Sequence, residues 1–230
     1  WMREKGVRFQ PSYGRQAFKV DDKFKFWGGL CVEAWGGGPG LVQTELEIAQ
    51  KNDIDVLFEC RVLSLLYDDE KVYGVKVRQQ GKVKELTAKS IVLAAGGFEA
   101  NAEMRTRYLG PGWELAKVRG TRYNTGDGIR MALDIGAMPY GNWSGCHSVG
   151  WDFNAPPYGD LEVGDNFQKH SYPLGIIVNA DGKRFVDEGA DFRNYTYAKY
   201  GGEILKQPNQ LGWQVFDQKV VDKLRDEYHI

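Results

Sequence analysis

The sequence is poor in the residues that staple or metallate a fold. Its three cysteines, Cys31, Cys60 and Cys146, include no Cys-x-x-Cys pair. Neither a disulfide framework nor a zinc site is suggested, and buried thiols are the expectation. No apolar run approaches the ~20 residues of a membrane-spanning helix, and Trp1-Met2-Arg3-Glu4 does not begin like a secretory signal. Thirty Lys+Arg meet 31 Asp+Glu, a formal net charge of -1, so no global field draws the chain to nucleic acid or anionic lipid. With no internal repeat or low-complexity tract either, the expectation is a cytoplasmic chain without a nucleic-acid partner.

What remains is globular. Of 230 residues 42% are hydrophobic and 27% charged, which excludes a disordered or coiled-coil chain. That length gives room for one large or two modest domains. Twenty-nine glycines are many, and their clusters carry most of the information. Trp27-Gly28-Gly29 closes a polar, irregular first segment. Trp35-Gly36-Gly37-Gly38-Pro39-Gly40 then leads into an apolar stripe at Val42, Leu46 and Ala49, the period of a helix. Such a start exposes backbone N–H groups to an anion, or is an ordinary turn.

From Ile54 to Ala95 the pattern becomes β-like. It predicts strands at Ile54 to Phe58, Arg61 to Leu66, Val72 to Arg78, Val83 to Thr87 and Ile91 to Ala95. The last runs into Ala94-Ala95-Gly96-Gly97, and its apolar character on both faces suits the centre of a sheet. Helices are predicted from Asn101 to Tyr108, from Asn124-Thr125-Gly126-Asp127-Gly128 to Gly136, from about Tyr195 to Leu205, and from Asp217 to Glu227. Between Leu174 and Val186 the pattern predicts a β-hairpin turning at Asp181-Gly182, and Gln214 to Phe216 a short strand. The whole is α/β and α+β: an α/β layout over residues 1–138 with an antiparallel meander as an insertion, and a second domain over 139–230.

The Gly-rich helix start at 36–40, Val92-Leu93-Ala94-Ala95-Gly96-Gly97-Phe98 and Thr125-Gly126-Asp127-Gly128 occur in that order. Together they resemble the flavoprotein subunits of the fumarate reductase and succinate dehydrogenase family. The run from Ile177 to Glu188 is similar to that family's substrate-capping domain. Within the family, Phe98-Glu99-Ala100-Asn101, Tyr123 to Gly128 and Asn194 to Gly201 are most similar to members that oxidise tricarballylate to cis-aconitate with FAD, by hydride transfer to flavin N5. The resemblance implies a small carboxylic-acid substrate and a separate membrane-linked electron acceptor. The family's Gly-x-Gly-x-x-Gly turn is missing here. The resemblance therefore places that turn before Trp1 and further cofactor and substrate segments after Ile230, leaving a piece that is inactive alone. Open alternatives are a flavin reductase or dehydrogenase for another unsaturated acid or a ketosteroid, and a non-catalytic binding module.

Residue by residue, the resemblance implies that the Val62 backbone meets the adenine. Ala95, Gly96 and Gly97 then lie beside the dinucleotide, and Thr125, Gly126 and Asp127 near the flavin. The plain alternatives are a core position for Val62, close strand-to-helix packing for the small residues, and a helix-dipole acid for Asp127. His147 matches a histidine that hydrogen-bonds a substrate carboxylate, though a lone histidine also suits a structural role. Arg193, reached through a one-residue shift, matches the family's proton-transfer arginine, and otherwise binds a carboxylate as a fixed cation or joins an ion pair. The family's Glu and Arg relay is replaced by Gln168-Lys169-His170-Ser171-Tyr172. His170 and Tyr172 are candidate substitutes, with solvated loop positions as the plainer expectation.

Overall fold

Turn chemistry organises the start of the chain. The computed structural model describes residues 1–26 and 30–228, so Trp27-Gly28-Gly29 lies outside the described residues. The chain folds as two compact units, Trp1–Arg61 and Val62–Ile230; the expected boundary after residue 138 lies within the second.

The first segment is more regular than its composition suggests. Helix α1 (Met2–Lys5) stops at Gly6, whose φ of 113° suits glycine. Strand β1 (Phe9–Pro11), helix α2 (Tyr13–Gln16), and strands β2 (Ala17–Val20) and β3 (Lys23–Phe26) follow. β2 and β3 form an antiparallel hairpin. Its turn residues Asp21 and Asp22 both have positive φ, the conformation a two-residue hairpin turn requires. Strand β4 (Val32–Ala34) returns to pair with β1. Helix α3 (Gly37–Lys51) starts where the Gly-rich run predicted. A Cβ on Gly40 would run into the Trp35 carbonyl, so this glycine serves the tight entry of the chain. Residues 54–58 form no strand: no described strand pairs with them, and strand geometry is held by a paired neighbour.

The second unit holds the meander as predicted. Strands β5 (Cys60–Tyr67), β6 (Val72–Gln79) and β7 (Lys82–Thr87) lie in that order; β5 begins at the end of the first unit. Leu65 and Val77 are buried in it. Gln80 and Gly81, both at positive φ, close the β6–β7 turn. The 91–95 segment is not a central strand: it pairs with none of the described strands, and Val92 is 88% exposed. Its apolar faces lack the two layers that bury a central strand.

Helices α4 (Ala102–Leu109) and α5 (Asp127–Asp134) match their start signals. Asn101 caps α4 by accepting from the Met104 N–H at 3.1 Å. Strand β8 (Ile176–Val178), helix α6 (Arg193–Leu205) and strand β9 (Trp213–Val215) complete the regular elements. A core of Tyr172, Ile177 and Tyr200 lies between them.

Two expectations fail here. The Asp181-Gly182 turn forms, yet its return arm does not become a strand: only Val178 and Arg184 bridge, and β8 pairs with β9 instead. The buried Glu188 carboxylate takes the Ile177 N–H at 2.5 Å and binds Arg184, replacing backbone pairing on that side. The predicted helix from Asp217 to Glu227 is instead two 3-10 turns, Gln218–Lys223 and Asp226–Tyr228. Between them the Arg225 N–H is taken by Ser171 Oγ at 3.1 Å, a long-range bond that overrides local periodicity. The cysteines depart from expectation too. Cys31 and Cys60 are half-buried and Cys146 exposed, and none of them joins the cluster around Tyr172, Ile177 and Tyr200.

Arg105 ties together the segment from Glu99 to Ala116. It is buried, and its guanidinium donates to the carbonyls of Trp113 (2.8 Å), Glu114 (2.9 Å), Ala116 (3.3 Å) and Glu99. Arg105→Met keeps the bulk and strands these carbonyls, so it is expected to lower unfolding stability by ~2–4 kcal/mol in urea titrations. A loss under ~0.5 kcal/mol would show that water replaces the clamp.

Candidate functional site

The first group of predicted residues forms a Gly-rich corner. The Gly126 N–H donates to the Gly97 carbonyl at 2.9 Å, and the Ala100 N–H to the Asn124 carbonyl at 2.9 Å. The end of the 91–97 segment and the start of α5 are thereby locked together. Gly126 is buried at φ 79°, and a Cβ there would strike the Met104 sulfur and come within 3.0 Å of Phe98 Cβ. A Cβ on Gly128 would lie 3.1 Å from Ala95 Cβ. Close packing thus accounts for Gly126 and Gly128.

Ala95 and Gly96 are different, because both remain exposed. The three atoms nearest to the position of a Gly96 Cβ all belong to the Asn124 carboxamide, the closest at 2.6 Å. Gly97 is half-buried, with Glu99 as its nearest side chain. The outer side of this corner is therefore nearly bare backbone, open to a flat group. Thr125 and Asp127 are half-buried, and the Thr125 hydroxyl lies 3.3 Å from an Asp127 carboxylate oxygen. Val62 lies half-buried in β5; its neighbour Leu63 accepts from Arg130 of α5 at 3.0 Å, which joins β5 to the corner.

The second group is a cluster at the start of α6. A Cβ on Gly201 would lie 2.6 Å from the Val149 nitrogen, so helix and loop backbones touch there. Ser148 fixes the register by bonding Ala198 through its N–H (2.7 Å) and hydroxyl (3.0 Å). Exposed His147 is thereby brought to Tyr197, with Nε2 3.0 Å from the phenol oxygen. The Tyr197 ring lies 4.7 Å from that of His170 and under the Arg193 guanidinium at 5.9 Å. Arg193 Nη1 donates to His170 Nδ1 at 2.9 Å.

The structure thus gathers His147, His170, Tyr172 and Arg193 at one place. His170 and Tyr172 are not solvated loop residues: they are 6% and 3% exposed. Tyr172 packs on Tyr200, and its hydroxyl lies 2.5 Å from that of Thr196. Sequence reasoning missed Tyr197, although Arg193 and Tyr197 are four apart on one helix and share a face. Arg225 gave no local signal.

Charge compensation sets Arg193 apart. Arg119 pairs with Asp165, Lys169 with Asp152 at 2.9 Å, and Arg225 with Glu227 at 2.6 Å. Among the described residues no carboxylate lies within ion-pair distance of half-buried Arg193. Burial, then the Arg225 charge, holds its pKa below the ordinary arginine value, with Glu227 among the groups that oppose the shift. Burial, followed by the Arg193, Arg225 and Arg119 cations, holds His170 down at about 3, with Asp165 opposing. An arginine can only donate, so Nδ1 is the bare nitrogen and the neutral ring carries its proton on Nε2. That Nε2 is buried without a hydrogen-bond partner among the described residues, as is Gln168 Oε1. Orphans of this kind cost ~1–3 kcal/mol.

Among the described residues no group of three or more His, Cys, Asp or Glu side chains could hold a metal. No described helix is long and apolar enough to cross a membrane.

Comparison with known proteins gives consistent findings. A family pattern described as an FAD binding domain matches residues 25–228. The chain is 29% identical over 229 residues to the "Probable fumarate reductase Ifc3" of Shewanella frigidimarina, covering 98% of this chain and 36% of that protein. It is 29% identical over 184 residues to a 3-oxosteroid 1-dehydrogenase of Mycobacterium tuberculosis, covering 76% of this chain and 32% of that one. Among solved structures, the open conformation of a flavocytochrome c3 fumarate reductase superposes with a TM-score of 0.68 at 27% identity, over 100% of this chain and 38% of that one. The chain spans about a third of the length of these relatives.

A pH series tests the neutral state of His170. The unfolded ring titrates near 6.5 and the folded one near 3, so the unfolded chain binds the extra proton between them. This contribution to stability is complete above the unfolded value and is lost as pH falls toward about 3. His170→Asn is expected to shallow the acid-side fall of Tm. An unchanged slope in thermal unfolding would show that His170 titrates normally.

Proposed function

Because the chain belongs to the FAD binding domain family, we propose that it is part of an FAD-dependent oxidoreductase that removes or adds hydrogen across a carbon–carbon bond beside a carboxylate. The specific reaction proposed is oxidation of tricarballylate to cis-aconitate, in the cytoplasm, with electrons passing to a separate membrane-linked acceptor. The observation that carries this reading is Arg193, a half-buried guanidinium with a neutral imidazole where its neighbours have carboxylates. A site of that charge favours an anionic ligand, and the planar guanidinium fits a carboxylate in two-point fashion. The fumarate reductase named among the relatives supports the same substrate class.

FAD is the cofactor of this family, and when bound it supplies the hydride acceptor. The outer side of the corner fits such a flat group, because Ala95 and Gly96 are exposed there and carry little or no side chain. Ala95, Gly96 and Gly97 would lie along it, with Thr125, Gly126 and Asp127 at the helix start and the Val62 backbone beyond. Arg193 would clamp one substrate carboxylate and move the proton at its guanidinium nitrogens. Lowering of its pKa by burial and by Arg225 favours the second task. His147, exposed and steadied by Tyr197, would hydrogen-bond a second carboxylate. The substrate-capping role belongs to residues 139–230 in this reading.

The test uses the full-length flavoprotein. Turnover is expected with tricarballylate ahead of succinate, fumarate, acrylate and 3-oxosteroids. Arg193→Lys, which keeps the charge and loses the fork, is expected to cut turnover ~100-fold or more with bound flavin unchanged. Steroid turnover without acid turnover overturns the substrate class; near-normal Arg193→Lys turnover removes Arg193 from the reaction.

A further inference from the structure

We infer that His170 is the positioning residue for Arg193: an uncharged acceptor that fixes the guanidinium while leaving its positive charge uncancelled. This rests on the reading of the cluster as a carboxylate site. Arg193 is held from two sides by groups that take no charge from it. Nδ1 of His170 accepts its Nη1 proton at 2.9 Å, and the Tyr197 ring lies beneath it. The same tyrosine lies 4.7 Å from the imidazole, so His170, Arg193 and Tyr197 form one packed set.

The contrast with the surroundings gives the arrangement its meaning. Arg119, Lys169 and Arg225 each meet an acid. A carboxylate at position 170 would bond Arg193 more strongly than an imidazole does, and it would also cancel the charge a substrate acid needs. A histidine kept for stability alone would be an ill-suited choice, because its Nε2 proton is buried with no partner among the described residues. The groups acting on this ring are Arg193 and Tyr197 from α6, Arg225 from between the C-terminal turns, and the Arg119–Asp165 pair. Burial first, and then the excess of cations over acids among them, keeps the imidazole neutral and Nδ1 available.

The test compares wild type with His170→Leu, His170→Asn and His170→Asp in the full-length flavoprotein, reading KM, kcat and flavin content. Losing the acceptor in His170→Leu is expected to raise the KM for tricarballylate about tenfold or more with flavin content unchanged. His170→Asn, whose side-chain oxygen can replace Nδ1, should recover to within about threefold of wild type. His170→Asp also accepts the hydrogen bond but adds a counter-charge, and should bind substrate as poorly as His170→Leu. If His170→Asp matches His170→Asn, the uncancelled charge is overturned; if His170→Leu matches wild type, so is the positioning role.

Nitrogen NMR of labelled histidines provides a readout without turnover. Nδ1 should be unprotonated and Nε2 protonated at neutral pH, and an imidazolium or the opposite tautomer overturns the proposal even if the variants fail to fold. If wild type turns over no carboxylic acid while the tautomer is as stated, the substrate reading fails and the proposed purpose of the pair fails with it. The hydrogen bond itself then stands.

Discussion

At Gly201 the backbone of α6 comes so close to the loop at Ser148 and Val149 that a single methyl group would not fit. The candidate site depends on this contact. It fixes how far the helix advances along the loop, and Ser148 then locks the register by bonding Ala198 and the Gly202 N–H. With the register set, Tyr197 meets His147 on one side and His170 on the other. Arg193, one turn earlier on the helix, falls onto His170. A slide of one residue would turn Tyr197 through about 100° of helix rotation and separate the group.

Electrostatics in the cluster follows from what that packing brings together. Several cations converge in a partly buried region, and all but one are neutralised by acids at close range. The exception is bound to an imidazole that its surroundings keep uncharged. The two observations support each other: nearby guanidiniums disfavour a proton on His170, and a proton-free Nδ1 is what Arg193 requires as an acceptor. The Gly-rich corner follows another logic. There the small residues do two jobs, with Gly126 and Gly128 letting two backbones meet and Ala95 and Gly96 leaving a bare outer side.

Local signals were legible wherever a segment carries its own partner. The meander could be read from alternation and from the Gln80-Gly81 turn, because neighbouring strands in sequence pair with each other. Asn101 and the Thr125-Gly126-Asp127 run announced α4 and α5 through bonds made within a few residues. The 54–58 and 91–95 segments have the same β-like composition but no described partner strand, so composition misled. The hairpin arm after Gly182 failed for a related reason: Glu188 supplies from a side chain the acceptor that a return strand would have supplied from backbone.

The amino-acid order alone determined the meander, the helix starts, the glycine clusters and the candidacy of Arg193 and His147, since these depend on spacing, turn conformation and matching motifs. Only tertiary structure decided that His170 is buried, that its Nδ1 faces Arg193, that Tyr197 joins the two histidines, and that Arg225 lies close enough to matter. The hydrogen-bonded partners among them come from segments separated by 23 and 50 residues. A hydrogen bond's direction and a charge's compensation exist only once distant backbones have been brought within a few ångströms, which no local pattern specifies.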